Sequence, residues 1–366
     1  MRRLVSLSAV LLLLTVLVAA PATAEVTKTI RAELTPKAGA AWGVENLAGK
    51  MKIVAGSGSA IVAIATVHAE NEELAASLQL EEVSIVSGTG LRMRYPTDRH
   101  TTFRYPVGSD GKNHALSLFG SSSSSFEYDG HKVKVSSSSG VLLYADIEVQ
   151  VPSRLTGKGT FENHVGMMEG RGVGGNLVFS TSSGDVDLDK VGGEIKIDTG
   201  SGDVAAGGGS GQLKVDTGSG DITVEHFTGD VIDCDVGSGD VTLRSGASKK
   251  VSVDTGSGDV EVRSMDIEEF DGDTGSGDVL LESTGAKLTR IVTETGSGDV
   301  TLRLGGAASF ELIADQGSGD LVSRYDDATP IVKGREVVGY RRGDHRTKIS
   351  VSTGSGDVTV EAGASI

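Results

Sequence analysis

Thr255-Gly256-Ser257-Gly258-Asp259-Val260 is one copy of a string that recurs, with small changes, nine times between Thr181 and Val358. Its aspartates stand at Asp185, Asp203, Asp221, Asp240, Asp259, Asp278, Asp299, Asp320 and Asp357. The gaps between them are 18, 18, 19, 19, 19, 21, 21 and 37 residues, the last about two periods. Self-similarity at a period of this size marks a repeat architecture. Aligned on the aspartate, the copies show four apolar columns. One residue after it stand Val186, Val204, Ile222, Val241, Val260, Val279, Val300, Leu321 and Val358, and a second, mostly apolar column lies two further on. Eight residues before it stand Leu177, Ile195, Leu213, Ile232, Val251, Phe270, Ile291, Leu312 and Ile349, and six before it is a mixed column that includes Cys234 and Gly272.

Each copy thus holds two short runs with period-two alternation, the pattern of strands that bury one face. A single coil of this size makes no core alone, but stacked coils do. With strands about 4.8 Å apart, nine coils form a rod of roughly 40 Å. The expected fold is all-β: a single-stranded parallel β-solenoid (β-helix) of 18–21 residues per coil, with irregular N-terminal coils.

The chain opens with Arg2 and Arg3, an apolar run from Leu4 to about Ala20, and the small-residue site Ala22-Thr23-Ala24. This is the pattern of a secretory signal peptide over residues 1–24, and it predicts export to the periplasm or the cell surface. No later apolar run approaches the 18 residues of a transmembrane helix. Loss of Arg2 and Arg3 takes the net charge from −16 to −18. So acidic a body argues against nucleic acid and against adsorption to anionic lipid. The only cysteine, Cys234, excludes an internal disulfide framework and falls in an inward column, where it reads as a small buried apolar residue.

Residues 25–366 read as one solenoid domain, with irregular coils over 40–180 and regular ones over 181–366. Residues 25–40 read as a loosely attached segment. Two related strings, Glu45-Asn46-Leu47-Ala48-Gly49-Lys50-Met51 and Glu162-Asn163-His164-Val165-Gly166-Met167-Met168, suggest coils of the same stack. Glu70 to Leu80 suits a short helix. From about 96 to 140 the alternation fails, and serine runs at Ser121–Ser125 and Ser136–Ser139 predict a partly disordered excursion with one hairpin near His131 to Val135. A second excursion, about 325–347, carries Lys333, Arg335, Arg341, Arg342 and Arg346 next to Lys348. It is expected to be a solvated hairpin, since charge runs usually face water, with docking of an anionic partner or folding back on the acidic rod as the alternatives. The chain ends six residues after Val360, which leaves little to cap a last coil and opens the way to end-to-end self-association.

The recurring Asp-Thr-Gly-Ser is the string of aspartic proteases, which need two such loops to converge; stacked turns make a ladder instead. A second acidic column, five residues before the motif aspartate, holds Asp198, Asp216, Asp235, Asp254, Asp273, Glu294 and Asp315. Like charges about 4.8 Å apart repel by about 1 kcal/mol in water and more near a protein surface. The offset is either an Asx-type bond from each aspartate to its own turn or a hard cation such as Ca²⁺. The seven histidines, His164 among them, have no metal-ligand spacing. Gly-x-Ser-x-Gly with a supporting histidine and acid is absent. No catalytic, cofactor-binding or metal-ligating residue is therefore nominated, and Ca²⁺ stays the one cofactor held open.

The Thr-Gly-Ser-Gly-Asp-Val repeat, the opening Val44-Glu45-Asn46-Leu47-Ala48-Gly49 and the closing Ile349 to Val358 resemble the bacterial candidate-adhesin (toastrack-like) β-strand-repeat family. The resemblance covers roughly residues 40–366 and implies a single-stranded β-helix, exported or tethered at the envelope, without catalytic residues. The expected function is a non-catalytic envelope binding or scaffold module, adhesin-like, whose partner is a surface polymer or protein and whose contacts lie at the two excursions. The rival readings are a calcium-stabilised acidic solenoid and a polysaccharide-active β-helix enzyme.

Overall fold

The computed structural model describes residues 25–106, 123–284 and 286–363; the export signal read over residues 1–24 lies outside them. Each repeat gives one strand to each of two long sheets, of 17 and 15 strands. In the copy around Asp259, Ala247–Thr255 lies in one sheet and Val260–Arg263 in the other, with the Gly-Ser-Gly turn between them. Neighbouring copies pair in parallel and in register, so Val251 sits between Ile232 and Phe270, and Val260 between Val241 and Val279.

Identical register turns each predicted column into a continuous inner layer, and the core runs between the two sheets. All nine members of the column from Leu177 to Ile349 are buried. Cys234 is 1% exposed, and burial pushes its thiol up to about 12, in keeping with an apolar reading. Bulk is traded between neighbouring positions. The Phe270 ring occupies the space a Cβ at Gly272 would need, 2.6 Å away, and the Trp42 ring covers Gly159 at 2.4 Å.

The double-length gap is resolved by a change of order. The coil Arg290–Thr295/Val300–Leu304 pairs not with the next coil in sequence but with the last, Thr347–Thr353/Val358–Ala362. That last coil then pairs on its other side with Phe310–Gln316/Leu321–Ser323. The chain steps over one slot, builds the outermost coil, and returns to fill the gap. Packing quality follows the order: Ile349, Val351, Val358 and Val360 are buried inside, whereas Leu321 and Ser323 of the outer coil are half-buried.

The premise of end-to-end association is corrected by this arrangement. The last coil in sequence is internal, and the outer one is covered by the antiparallel hairpin Thr329–Lys333/Glu336–Arg342, which pairs with Phe310–Gln316. The outermost strand carries Pro330 and Lys333, residues that blunt a sheet edge. The 325–347 segment is therefore part of the end of the stack. Arg341 and Lys348 both hold Glu311, at 2.7 Å each, and Arg342 holds Asp327 at 2.6 Å. The solvated hairpin is what forms, and its basic residues at the same time fold back onto acidic neighbours.

The related Glu-Asn strings are adjacent rungs although 117 residues separate them. Ala41–Ala48 pairs in parallel with Lys158–Val165, with Glu45 opposite Glu162 and Asn46 opposite Asn163. Met51 likewise faces Met168. The chain between these coils closes the N-terminal end. Val26–Leu34 pairs over nine residues with Ile61–Ala69, which corrects the reading of 25–40 as loosely attached: the Ile30, Ala32, Leu34 alternation gives it a buried side. The short helix forms over Glu72–Ser77, with Asn71 accepting the Leu74 N–H at 2.9 Å.

The hairpin expected near His131 to Val135 is present in the described part of the 96–140 excursion; residues 107–122 lie outside the described residues. Ser123–Tyr128 and His131–Ser136 form an antiparallel hairpin around Asp129-Gly130, whose φ values of 53° and 76° suit a tight hairpin turn. Tyr128, Val133 and Val135 are buried, and the Ser136 hydroxyl accepts the Ser138 and Ser139 N–H groups, so the second serine run forms a local turn.

Candidate functional site

The motif aspartates, exposed except for the half-buried Asp185, form one unbroken hydrogen-bonded column. The backbone N–H of Asp203 donates to Asp185 Oδ1 at 3.0 Å, and that of Asp221 to Asp203 at 3.0 Å. The pattern repeats through Asp240, Asp259, Asp278 and Asp299. It then runs through Asp357 to Asp320, following the spatial and not the sequence order. The expected bond from each aspartate to its own turn is thus corrected: the carboxylate reaches the next coil, because parallel in-register stacking aims that N–H at it. The motif threonine works in the other direction. Thr255 and Thr274 hydroxyls donate to the Gly239 and Gly258 carbonyls of the preceding coil, at 3.1 and 2.9 Å. Like-charge stacking leaves its mark in the second acidic column. Asp273 is held above the usual carboxylate range, first by burial and then by Asp254 and Glu294 stacked on either side.

The amide acceptor alone should carry most of the aspartate bond. Asp259→Asn is expected to melt with the parent, whereas Asp259→Ala, which strands the Asp278 N–H, should lose about 1 kcal/mol. Equilibrium urea unfolding of the two variants distinguishes them; equal losses would assign the column to charge instead.

A concave site lies at the opposite end of the stack from the 329–342 hairpin. The strand Gly88–Arg94 pairs with Ala41–Ala48 and folds back as a hairpin with Gln79–Ile85. Outward-facing Gly43 and Gly90 stand side by side there, and Ile85 reaches across both. Two glycines without side chains, walled by Val83, Ile85 and Val86, leave a groove of about 570 Å³ that ends at Glu45 and Glu162. Val86, at the hairpin tip, is 91% exposed.

The groove ends in a charged cluster. Period-two alternation puts Thr160, Glu162 and His164 on the outer face beside Gly43 and Glu45, and Arg92 opposite Glu45. The Arg92 Nε donates to Glu45 Oε2 at 2.6 Å, and its Nη1 to Asp129 at 3.2 Å; Arg94 pairs with both Asp129 and Glu81. His164 Nε2 stands 3.5 Å from Glu45 Oε1 and 3.5 Å from Glu162 Oε1. Its ring is held between Phe126 and Tyr128, with centroids at 5.3 and 5.4 Å. Burial is the largest influence on Glu45 and raises it, but His164 and Arg92 together outweigh burial and hold its carboxyl below the usual range. Glu162, buried next to Glu45 and without an arginine of its own, is held above it.

Sequence reasoning named none of these residues as a site. The signal was present in part, since pairing the two Glu-Asn strings places Glu162 beside Glu45 and His164 two residues on. Arg92 comes from a separate hairpin that no spacing announces. The acidic columns, by contrast, were legible as soon as the repeats were aligned. Among the described residues no helix is long and apolar enough to cross a membrane.

The family described as Toastrack DUF4097 matches residues 131–361. No curated protein matches in sequence. Among solved structures, the chain is similar to a candidate cell adhesion protein from Clostridium sporogenes, at 12% identity over 92% of this chain and 99% of that one, with a TM-score of 0.22. It is also similar to a candidate adhesin from Parabacteroides distasonis, at 12% identity over 92% and 97%, with a TM-score of 0.36. A candidate lipid binding protein from the same organism matches at 10% identity over 91% and 96%, with a TM-score of 0.36. None of these matches is named as an enzyme.

Proposed function

Since this chain belongs to the Toastrack DUF4097 family, we propose that it works as an exported, non-catalytic β-solenoid, an adhesin-like binding module of the cell envelope. The observation that carries the reading is the groove over Gly43 and Gly90. It is a built concavity with an apolar wall and a charged end, on a rigid stack whose turns are bonded coil to coil. Ligand sites take this form, mostly apolar with a few fixed polar groups. The Arg2-Arg3 and Ala22-Thr23-Ala24 pattern supports export. The partner is a surface polymer or protein, and contact is made at the groove and not along the acidic ladder.

Retention of the mature chain on envelope material from the producing bacterium tests this. Val86→Glu, at an exposed tip where folding is undisturbed, should weaken retention roughly tenfold, the scale of an anchor lost from an interface. Lys333→Glu with Arg335→Glu, at the opposite end, should leave it unchanged. Retention insensitive to Val86→Glu, or none by the parent chain, would remove the reading.

A further inference from the structure

We propose that Glu45, Glu162 and His164 form a binding site for one divalent transition-metal ion of the Zn²⁺ type at the closed end of the groove. The inference stands apart from the adhesin reading and needs only the geometry of the cluster. One ligand atom from each of the three residues lies within 4.8 Å of the others, and the two His–Glu separations are 3.5 Å. Bonds of about 2.1 Å at tetrahedral angles set ligand atoms about 3.4 Å apart. Two edges of the tetrahedron therefore already exist, and a small movement of the Glu162 side chain closes the third.

The second observation is independent of the carboxylates. His164 is 9% exposed, and its Nε2 makes no well-formed hydrogen bond but stands between the two glutamates, at ion-pair distance from each. A buried polar atom in this state costs free energy that a ligand would recover. Phe126 and Tyr128 fix the ring plane, so the nitrogen is held in place by packing.

Charge balance points the same way. Four carboxylates, Glu45, Glu81, Asp129 and Glu162, face two guanidinium groups, Arg92 and Arg94. Among the described residues, Glu162 has no lysine or arginine within ion-pair reach. The His164 imidazole is the one other basic group beside these glutamates, and a divalent ion bound to its neutral form would supply the two charges that the arginines leave unmatched. Arg92 then has the role of an outer partner: it holds Glu45 Oε2 and leaves Oε1 turned toward His164. An imidazole in a set of only three protein ligands disfavours Ca²⁺ and Mg²⁺, which take six or more oxygens. It suits Zn²⁺, with a fourth position left open toward the groove.

The test uses the mature chain stripped with chelator, titrated with Zn²⁺ by calorimetry and in parallel with Ca²⁺. The expected result is one Zn²⁺ per chain, with Glu162→Gln and His164→Gln each at least tenfold weaker, the lower end of what loss of an outer partner alone costs. Asp259→Asn, on the exposed ladder, should bind like the parent. Co²⁺ should give the visible absorption of a four-coordinate ion, lost in His164→Gln. Metal-free melting of parent and variants at the same temperature separates lost binding from lost folding. Equal Zn²⁺ binding by the parent and both cluster variants would place the ion on surface aspartates and overturn the proposal, as would no binding by a normally folded parent chain.

Discussion

Asn46→Leu should destabilise the protein by about 3–5 kcal/mol, among the largest effects of any single side chain in it. Asn46 is fully buried, and its amide N–H groups are shared among Ala145 O at 2.8 Å, Asn163 Oδ1 at 3.0 Å and Ala48 O at 3.1 Å. Its own oxygen accepts the buried Tyr95 hydroxyl at 3.2 Å. Asn163, also fully buried, continues the network to Gly49 O at 2.8 Å and Gly166 O at 3.1 Å. The Ala48 and Gly49 carbonyls lie at the turn between Ala41–Ala48 and Met51–Gly56, that of Gly166 at the matching turn between Lys158–Val165 and Met168–Arg171, and that of Ala145 in the strand Val141–Pro152. A leucine of similar size would fill the space and leave several buried polar groups unpaired, each costing about 1–3 kcal/mol. Chemical denaturation of Asn46→Leu gives the size of the effect, with Tyr95→Phe, which removes one hydroxyl shared between Asn46 Oδ1 and Ala48 O, as a smaller control of about 1 kcal/mol. Because Asn46 and Asn163 share a bond, the double variant Asn46→Leu/Asn163→Leu should lose less than the sum of the two. A loss below about 1 kcal/mol for Asn46→Leu would show the network to be dispensable.

Gly258→Ala should cost about 3 kcal/mol or more, through a backbone collision joined to backbone strain. Gly258 has φ of +147°, and a Cβ there would lie 2.1 Å from the Gly239 carbonyl oxygen and 2.6 Å from its carbon. The obstacle is the main chain of the coil below, itself hydrogen-bonded through the Gly239 N–H to Ser257 O, so it has no rotamer by which to move aside. Gly334→Ala is the informative control. Gly334 has φ of +70°, but nothing lies within 4 Å of its would-be Cβ, so only the conformational cost of about 1–2 kcal/mol applies. The difference between the two variants by equilibrium unfolding isolates the collision. In a stack stabilised between neighbours the damage should also be local, with amide exchange accelerated most in the coils on either side of Asp259. Equal losses at Gly258 and Gly334 would mean that the turns relax freely.

Five of the six positions of the repeat motif now have a role. The threonine hydroxyl bonds the coil before it, the glycines let backbones touch, the aspartate takes an N–H from the coil after it, and the valine enters the core. Only the valine and the turn glycines were readable from the alignment. The direction of the threonine and aspartate bonds was not, because a sequence records which residue occupies a turn and not which neighbouring turn its side chain meets.

What the sequence determined by itself is the unit: two strands per coil, which faces point inward, and a stack in register. Period-two alternation and glycine placement are local properties, set within a few residues by side-chain geometry. The likeness of the Glu45-Asn46 and Glu162-Asn163 strings showed that both belong to the stack, though not that they are adjacent rungs. Tertiary structure alone decided the order of the coils at the C-terminal end. The gap from Asp278 to Asp299 and the gap from Asp299 to Asp320 are both 21 residues, yet the first climbs one rung and the second climbs two. Repeats that fit one slot fit the next almost equally well, so the choice falls to the sum of contacts. The apolar set Ile349, Val351, Val358 and Val360 is buried inside, and the poorer set with Ala314 and Ser323 takes the end. The cluster of Glu45, Arg92, Glu162 and His164 was decided in the same way, because it joins three strands far apart in the chain and only the completed sheet brings them face to face.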